Sequence, residues 1–125
     1  MKILSFQEAL LPPVGMGIDL DDNAAVERIG DRSIYLEIAH YFGSHMQQSL
    51  AFLAEALEKA DSENATRLAH SLKGNCATVG AETMRSRCHA LEKLCRDGKL
   101  DEAQKLFTNI SPHLLELGAA LTSLE

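Results

Sequence analysis

Apolar residues return every three or four positions along most of this chain, the spacing of helices that turn one face inward. Between Ser33 and Lys59 they fall at Ile38, Phe42, Met46, Leu50, Leu53 and Leu57 with no proline among them, which predicts one helix of about seven turns. Asp61 or Ser62 can cap the next helix, with Ala65, Leu68, Leu72, Cys76 and Val79 inward and Gly80 as its stop. A third runs from Ala81 to Arg96 with Met84, Cys88, Leu91 and Cys95 inward, and Asp97-Gly98 turns the chain. The last carries Ala103, Phe107, Ile110, Leu114, Leu117, Leu121 and Leu124, a seam of alternating four- and three-residue steps. Pro112 interrupts that seam and is expected to bend the helix.

Ahead of these lie two shorter signals. Ser5 and Glu8 form a capping-box pair before Pro12-Pro13 stops any helix, and Asp21 to Ile29 reads as a second short helix ended by Gly30-Asp31. Four amphipathic helices joined by connections of a few residues make antiparallel neighbours. The expected fold is therefore all-α, an antiparallel up-down-up-down four-helix bundle with one or two short additional N-terminal helices. The expected division is residues 1–16 as an N-terminal arm or short helix and residues 17–125 as the bundle.

Composition supports that picture. The chain is 125 residues long, 46% hydrophobic and 5% aromatic, with no Trp, enough to bury a core without disulfides or metal. Its net charge of -6 argues against nucleic acid, whose phosphates call for a basic surface. No apolar run approaches the roughly 20 residues needed to span a bilayer, and the first residues lack a signal peptide's apolar stretch and cleavage site. A cytoplasmic monomer with no membrane partner is expected, and Met1 with the short arm leans toward a small independent protein. Cys76, Cys88 and Cys95 show no metal-ligand spacing and read as reduced core residues. Cys88 and Cys95 stand about 10 Å apart by helical rise and cannot bridge, and Cys88 and His89 point in different directions.

One stretch carries chemistry. On a helical wheel the inward residues of the second long helix cluster around Leu72, and His70 lands about 160° away, on the outer face. Arg67, Lys73, Gly74 and Ala77 surround it there. Gly74 costs on the order of 1 kcal/mol relative to alanine inside a helix, and a solvated face has no packing reason to accept that loss. A glycine one turn from a histidine clears the approach to the ring. Lys73 can set an ammonium near any anion held there.

His70, Lys73, Gly74 and Gly80 together form an H-x-x-K-G-x-x-x-x-x-G pattern. The stretch resembles that of histidine-containing phosphotransfer domains, the HPt modules of multistep two-component phosphorelays. The layout from Gly17-Ile18-Asp19-Leu20 through Lys59, and Leu94 to Leu100 after it, is similar to that family over roughly residues 17–125. The resemblance implies that His70 accepts a phosphoryl group from a receiver-domain aspartate and passes it to another receiver aspartate. It implies a carrier without kinase activity or nucleotide, with no cofactor of its own and Mg²⁺ on the receiver. The implied partners are response-regulator receiver domains and a hybrid sensor histidine kinase. Lys73 would stabilise the charge of the passing phosphoryl, and Arg67, Gly74 and Ala77 would form the receiver-docking face.

Geometry adds one more residue. In a helix hairpin turning near Ala81, His70 and Glu92 are equally far from the turn, so Glu92 can accept a hydrogen bond from Nδ1 of His70 and leave Nε2 to attack. Equally, Glu92 can pair with Arg96 one turn on, as a solvated helix charge. From Arg67 to Lys99 there are seven Lys or Arg against three acids, a basic face that would attract the acidic site of a receiver. The alternative readings are a bundle that docks receivers without phosphotransfer, and a ferritin-type metal bundle, which would need Glu and His ligands where these helices present apolar stripes. His40, His45, His89 and His113 receive no role.

Overall fold

The computed structural model describes residues 3–14 and 19–125, and among them forms seven helices and no strand. These are α1 (Phe6–Ala9), α2 (Asp22–Ile29), α3 (Arg32–Ser44), α4 (Met46–Glu58), α5 (Ser62–Val79), α6 (Glu82–Arg96) and α7 (Leu100–Thr122). Side-chain caps decide where several of them begin. Asp21, Asp31 and Asp61 each accept from the backbone N–H three residues on, at 3.1 Å, satisfying a donor that a helix start leaves open and placing negative charge at the positive end of the dipole. Ser5 and Glu8 close the expected capping box on α1.

The predicted helix over 33–59 is two helices. They meet at His45, whose φ of −101° and ψ of 1° leave the helical region. Three donors converge on the Tyr41 carbonyl there: the His45 backbone N–H, the His45 ring Nδ1–H at 2.8 Å and the Ser44 hydroxyl at 3.0 Å. Side chains that bond back to the preceding turn compete with the regular ladder. The buried stripe also differs from the predicted one. Tyr35 and Ala39 lead into Phe42 and Met46, while Ile38 is exposed. On α5 the small Ala69 is buried and Leu68 only partly so.

Small residues explain the shift. A Cβ on Gly43 would lie 2.6 Å from the Gly118 carbonyl oxygen, so α3 and α7 touch backbone to backbone, and Ala39 keeps the same face thin. The helix α7 runs unbroken through Pro112, which stands on its exposed side. The rods α3–α4, α5, α6 and α7 alternate in direction, and α7 returns to pack on α3 and α4. This is the up-down-up-down arrangement. Ala69, Leu72, Cys76, Leu91, Leu106, Ile110, Leu114 and Leu117 fill its centre.

The short helices pin the ends. Asn109 clamps the segment after α1, accepting from the Leu11 N–H at 2.8 Å and donating to the Leu11 carbonyl at 3.0 Å, while His113 donates to the Pro12 carbonyl at 2.7 Å. The expected boundary between residues 16 and 17, and the Gly17-Ile18 start of the family layout, lie outside the described residues. At the other end α2 covers the α5–α6 turn. Gly80 ends α5 with φ 89°, and a Cβ there would stand 2.3 Å from the Asp21 carbonyl oxygen, so the second glycine of the motif serves the fold. The Asp21 N–H donates to the Gly80 carbonyl at 2.9 Å, and the buried Tyr35 hydroxyl donates to Val79 at 2.8 Å. Among the described residues no helix is long and apolar enough to cross a membrane.

Candidate functional site

The α5–α6 hairpin is the most extensive helix pair of the bundle, and its register sets the site. His70 and Glu92 meet across it, Nδ1 to Oε2 at 3.0 Å, with the His70 side chain 66% exposed and that of Glu92 3% exposed. A carboxylate only accepts, so Nδ1 carries the proton and Nε2 keeps its lone pair. No hydrogen bond to Nε2 occurs among the described residues. The ring therefore stands on a buried anchor and presents its free nitrogen to solvent.

Glu92 is the only buried charged residue among those described. Lys73 Nζ lies 2.7 Å from its Oε1, and Arg96 lies 2.6 Å from its Oε2. Burial pushes the Glu92 carboxyl up, but the hydrogen bonds from Lys73 and His70, with the charge of Lys73, outweigh it and hold the group below its ordinary value. Glu92 is thus an anion at neutral pH; it accepts from His70 Nδ1 and pairs with Arg96 as expected, but it is buried between the helices and is not the solvated helix charge of the second sequence reading.

Of the residues placed on the outer face, Lys73 differs most from expectation. Its side chain is only 22% exposed and lies over α6, against Glu92 and 3.4 Å from His89 Nδ1. Gly74 is open: a Cβ there would meet nothing within 4 Å. Arg67 is exposed and donates to Asn64 at 2.5 Å, and Ala77 is exposed with its carbonyl accepting from Arg28 at 3.1 Å. His70, Gly74, Ala77 and Arg67 thus line one accessible strip of α5.

His89, to which the sequence assigns no role, belongs to the same cluster. It stands opposite Lys73, one turn nearer the Gly80 corner than the His70–Glu92 pair, and its Nδ1 lies 3.9 Å from Glu92 Oε1. Burial, then the neighbouring charge of Lys73, lowers its pKa below 6.5 against the pull of Glu92, so the ring is neutral at pH 7. The equal-distance rule that pairs His70 with Glu92 also pairs Lys73 with His89. Cys76, Cys88 and Cys95 are all buried; Cys76 and burial together hold the Cys88 thiol well above its ordinary value, and burial, with Glu92 nearby, pushes Cys95 up to about 11.

The family model of the Hpt domain matches residues 37–125. The chain belongs to the Hpt domain family. The match takes in most of α3 and all of α4 to α7, and with them the His70 strip and its Glu92 anchor. The phosphorelay intermediate protein rdeA of Dictyostelium discoideum is 22% identical over 88 residues, which cover 70% of this chain and 35% of that protein. This chain therefore corresponds to about a third of that relative's length. No solved structure matches the chain. An Hpt domain works through histidine phosphotransfer, and among the described histidines only His70 has its ring hydrogen-bonded to a buried carboxylate while its other nitrogen stays open.

Proposed function

We propose that this Hpt domain is a cytoplasmic phosphoryl carrier that takes a phosphoryl group onto Nε2 of His70 from an aspartyl phosphate of a receiver domain and delivers it to the aspartate of another. The Nε2 lone pair attacks phosphorus in line; the bond from phosphorus to the aspartyl oxygen breaks, and the aspartate leaves as a carboxylate. The proton on Nδ1 stays where it is. Attack leaves the phosphorylated ring with positive charge, which the Glu92 carboxylate at Nδ1 stabilises. Return transfer reverses each step. Charge on the phosphoryl oxygens is met by Lys73 and by the Mg²⁺ of the receiver.

The observation that carries this reading is the bond between the exposed His70 ring and the buried Glu92 carboxylate. The open space at Gly74 agrees with it, because a receiver's active-site loops can come down beside the imidazole. The partners are receiver domains, including that of a hybrid sensor histidine kinase, and the chain acts as a carrier and not as a kinase. Incubation with a ³²P-labelled phosphorylated receiver tests it. Acid-labile, base-stable label passing to the wild-type chain and absent from His70→Gln is the expected result. Label retained on the receiver, with a stable complex formed, would leave a docking bundle.

A further inference from the structure

Lys73 and His89 form a second rung across the α5–α6 hairpin, beside the rung of His70 and Glu92. Both side chains are 22% exposed, sheltered enough for a specific geometry and close enough to the surface to meet a phosphoryl group. An ammonium has three N–H donors. In the structure Nζ makes an ion pair with Glu92 Oε1 at 2.7 Å and a long contact with His89 Nδ1 at 3.4 Å. Two acceptors leave one donor over, and Lys73 follows His70 by one turn on α5.

We propose that His89 is a positioning residue for phosphotransfer at His70: its unprotonated Nδ1 accepts from Lys73 and, with Glu92, holds the ammonium so that its remaining N–H points to the phosphoryl group. The inference rests on the phosphotransfer reading of His70. It follows that the hold exists only while His89 is neutral. A protonated ring cannot accept, and it would place a second cation beside Lys73. The charged groups facing His89 are Lys73 from α5, and Glu92, Arg85 and Arg96 from its own helix; Glu92 favours the protonated ring, whereas burial and the three cations oppose it. Lys73 would lose its second anchor as pH falls, while the His70–Glu92 bond stays in place.

Phosphoramidate is a suitable donor because it needs no receiver: its P–N bond breaks, ammonia leaves, and Nε2 of His70 takes the phosphoryl. The rate of mass gain mapped to His70 would be followed from about pH 8 down to about pH 5.5 for wild type, His89→Asn, His89→Ala and each in a Lys73→Met background. Asparagine keeps an acceptor near the Nδ1 position and does not titrate. The ratio of wild type to His89→Asn should fall about threefold across that range, His89→Ala should be slow at every pH, and all these differences should vanish without Lys73. The titration of the histidine rings, read by ¹H–¹⁵N NMR, supplies a second arm: Lys73→Met should raise the pKa of His89. A flat ratio with Lys73 present, or a His89 pKa indifferent to Lys73→Met, would overturn the inference. Absence of label on His70 in every variant would instead overturn the phosphotransfer reading, and the NMR arm would still decide whether His89 holds Lys73.

Discussion

His70 and Glu92 join an exposed ring to a buried carboxylate: one nitrogen of a side chain that is 66% exposed rests 3.0 Å from a carboxylate that is 3% exposed. The proposed phosphotransfer needs both conditions. A nucleophile must be reachable, and its tautomer must be fixed by something that does not move.

Glu92 can be tested twice. Glu92→Ala should slow phosphotransfer by about tenfold, the effect of losing one hydrogen bond to a charged group near the surface, and Glu92→Gln, which keeps an acceptor, should lose less. An unchanged rate in Glu92→Ala would assign the residue to ion pairing with Arg96 alone. Stability gives a second reading. The folded-state pKa of Glu92 is lowered from 4.5, so its contribution is complete above that value and is lost as pH falls through the lower folded value. Urea denaturation should therefore find wild type ahead of Glu92→Gln at pH 7, with the gap closing in acid; a gap that is constant with pH would contradict the assignment.

Two glycines should respond in opposite ways. Gly74→Ala fills open space on a helix and should raise stability by about 1 kcal/mol. Gly43→Ala drives a methyl to 2.6 Å from the Gly118 carbonyl and should cost about 2 kcal/mol through the shift it forces on α7. Gly74→Gln should stay folded yet take phosphoryl from a receiver more slowly than wild type. Thermal melts paired with transfer assays decide each case, and undiminished transfer in a folded Gly74→Gln would remove the steric role.

Ala60 occupies a position that favours glycine. With φ 54° it ends α4 in the left-handed region, where its N–H meets the Leu57 carbonyl at 3.1 Å and the Asp61 N–H meets Ala56 at 2.9 Å. The strain of an L-residue there exceeds the extra freedom glycine brings to the unfolded chain. Ala60→Gly should stabilise the fold by about 0.5 kcal/mol, measured by urea denaturation; a destabilised variant would contradict it.

The three cysteines should react slowly. All are buried; Cys95 is pushed up to about 11 by burial, and Cys88 is held higher than usual by Cys76 and burial, so these two hold little thiolate at pH 8. Iodoacetamide should label them only as the chain unfolds, counted by mass. Rapid labelling of the native chain would show that the core opens.

The sequence carried the bundle because its signals were local and redundant. Aspartate caps, Gly80 and the apolar steps of α7 each point to the same boundary or face. It did not carry the phase of α3, where Ile38 and Ala39 both fit an inward stripe and only the close approach of Gly43 to Gly118 favours the smaller residue. The break at His45 likewise depends on side chains bonding back to Tyr41, which periodicity does not record. At the site, the outward His70 followed from the wheel, and the Glu92 partnership followed from counting to the corner. His89 has no signal of its own; it becomes legible only as the residue level with Lys73 across the hairpin.

The most direct test of the central claim is to locate the phosphoryl group. Selectively ¹⁵N-histidine-labelled chain, phosphorylated and examined by long-range ¹H–¹⁵N correlation, should show the phosphorus-bearing nitrogen as Nε2 of His70, with Nδ1 still protonated. Phosphoryl on Nδ1 of His70, or on any other histidine, would contradict the account.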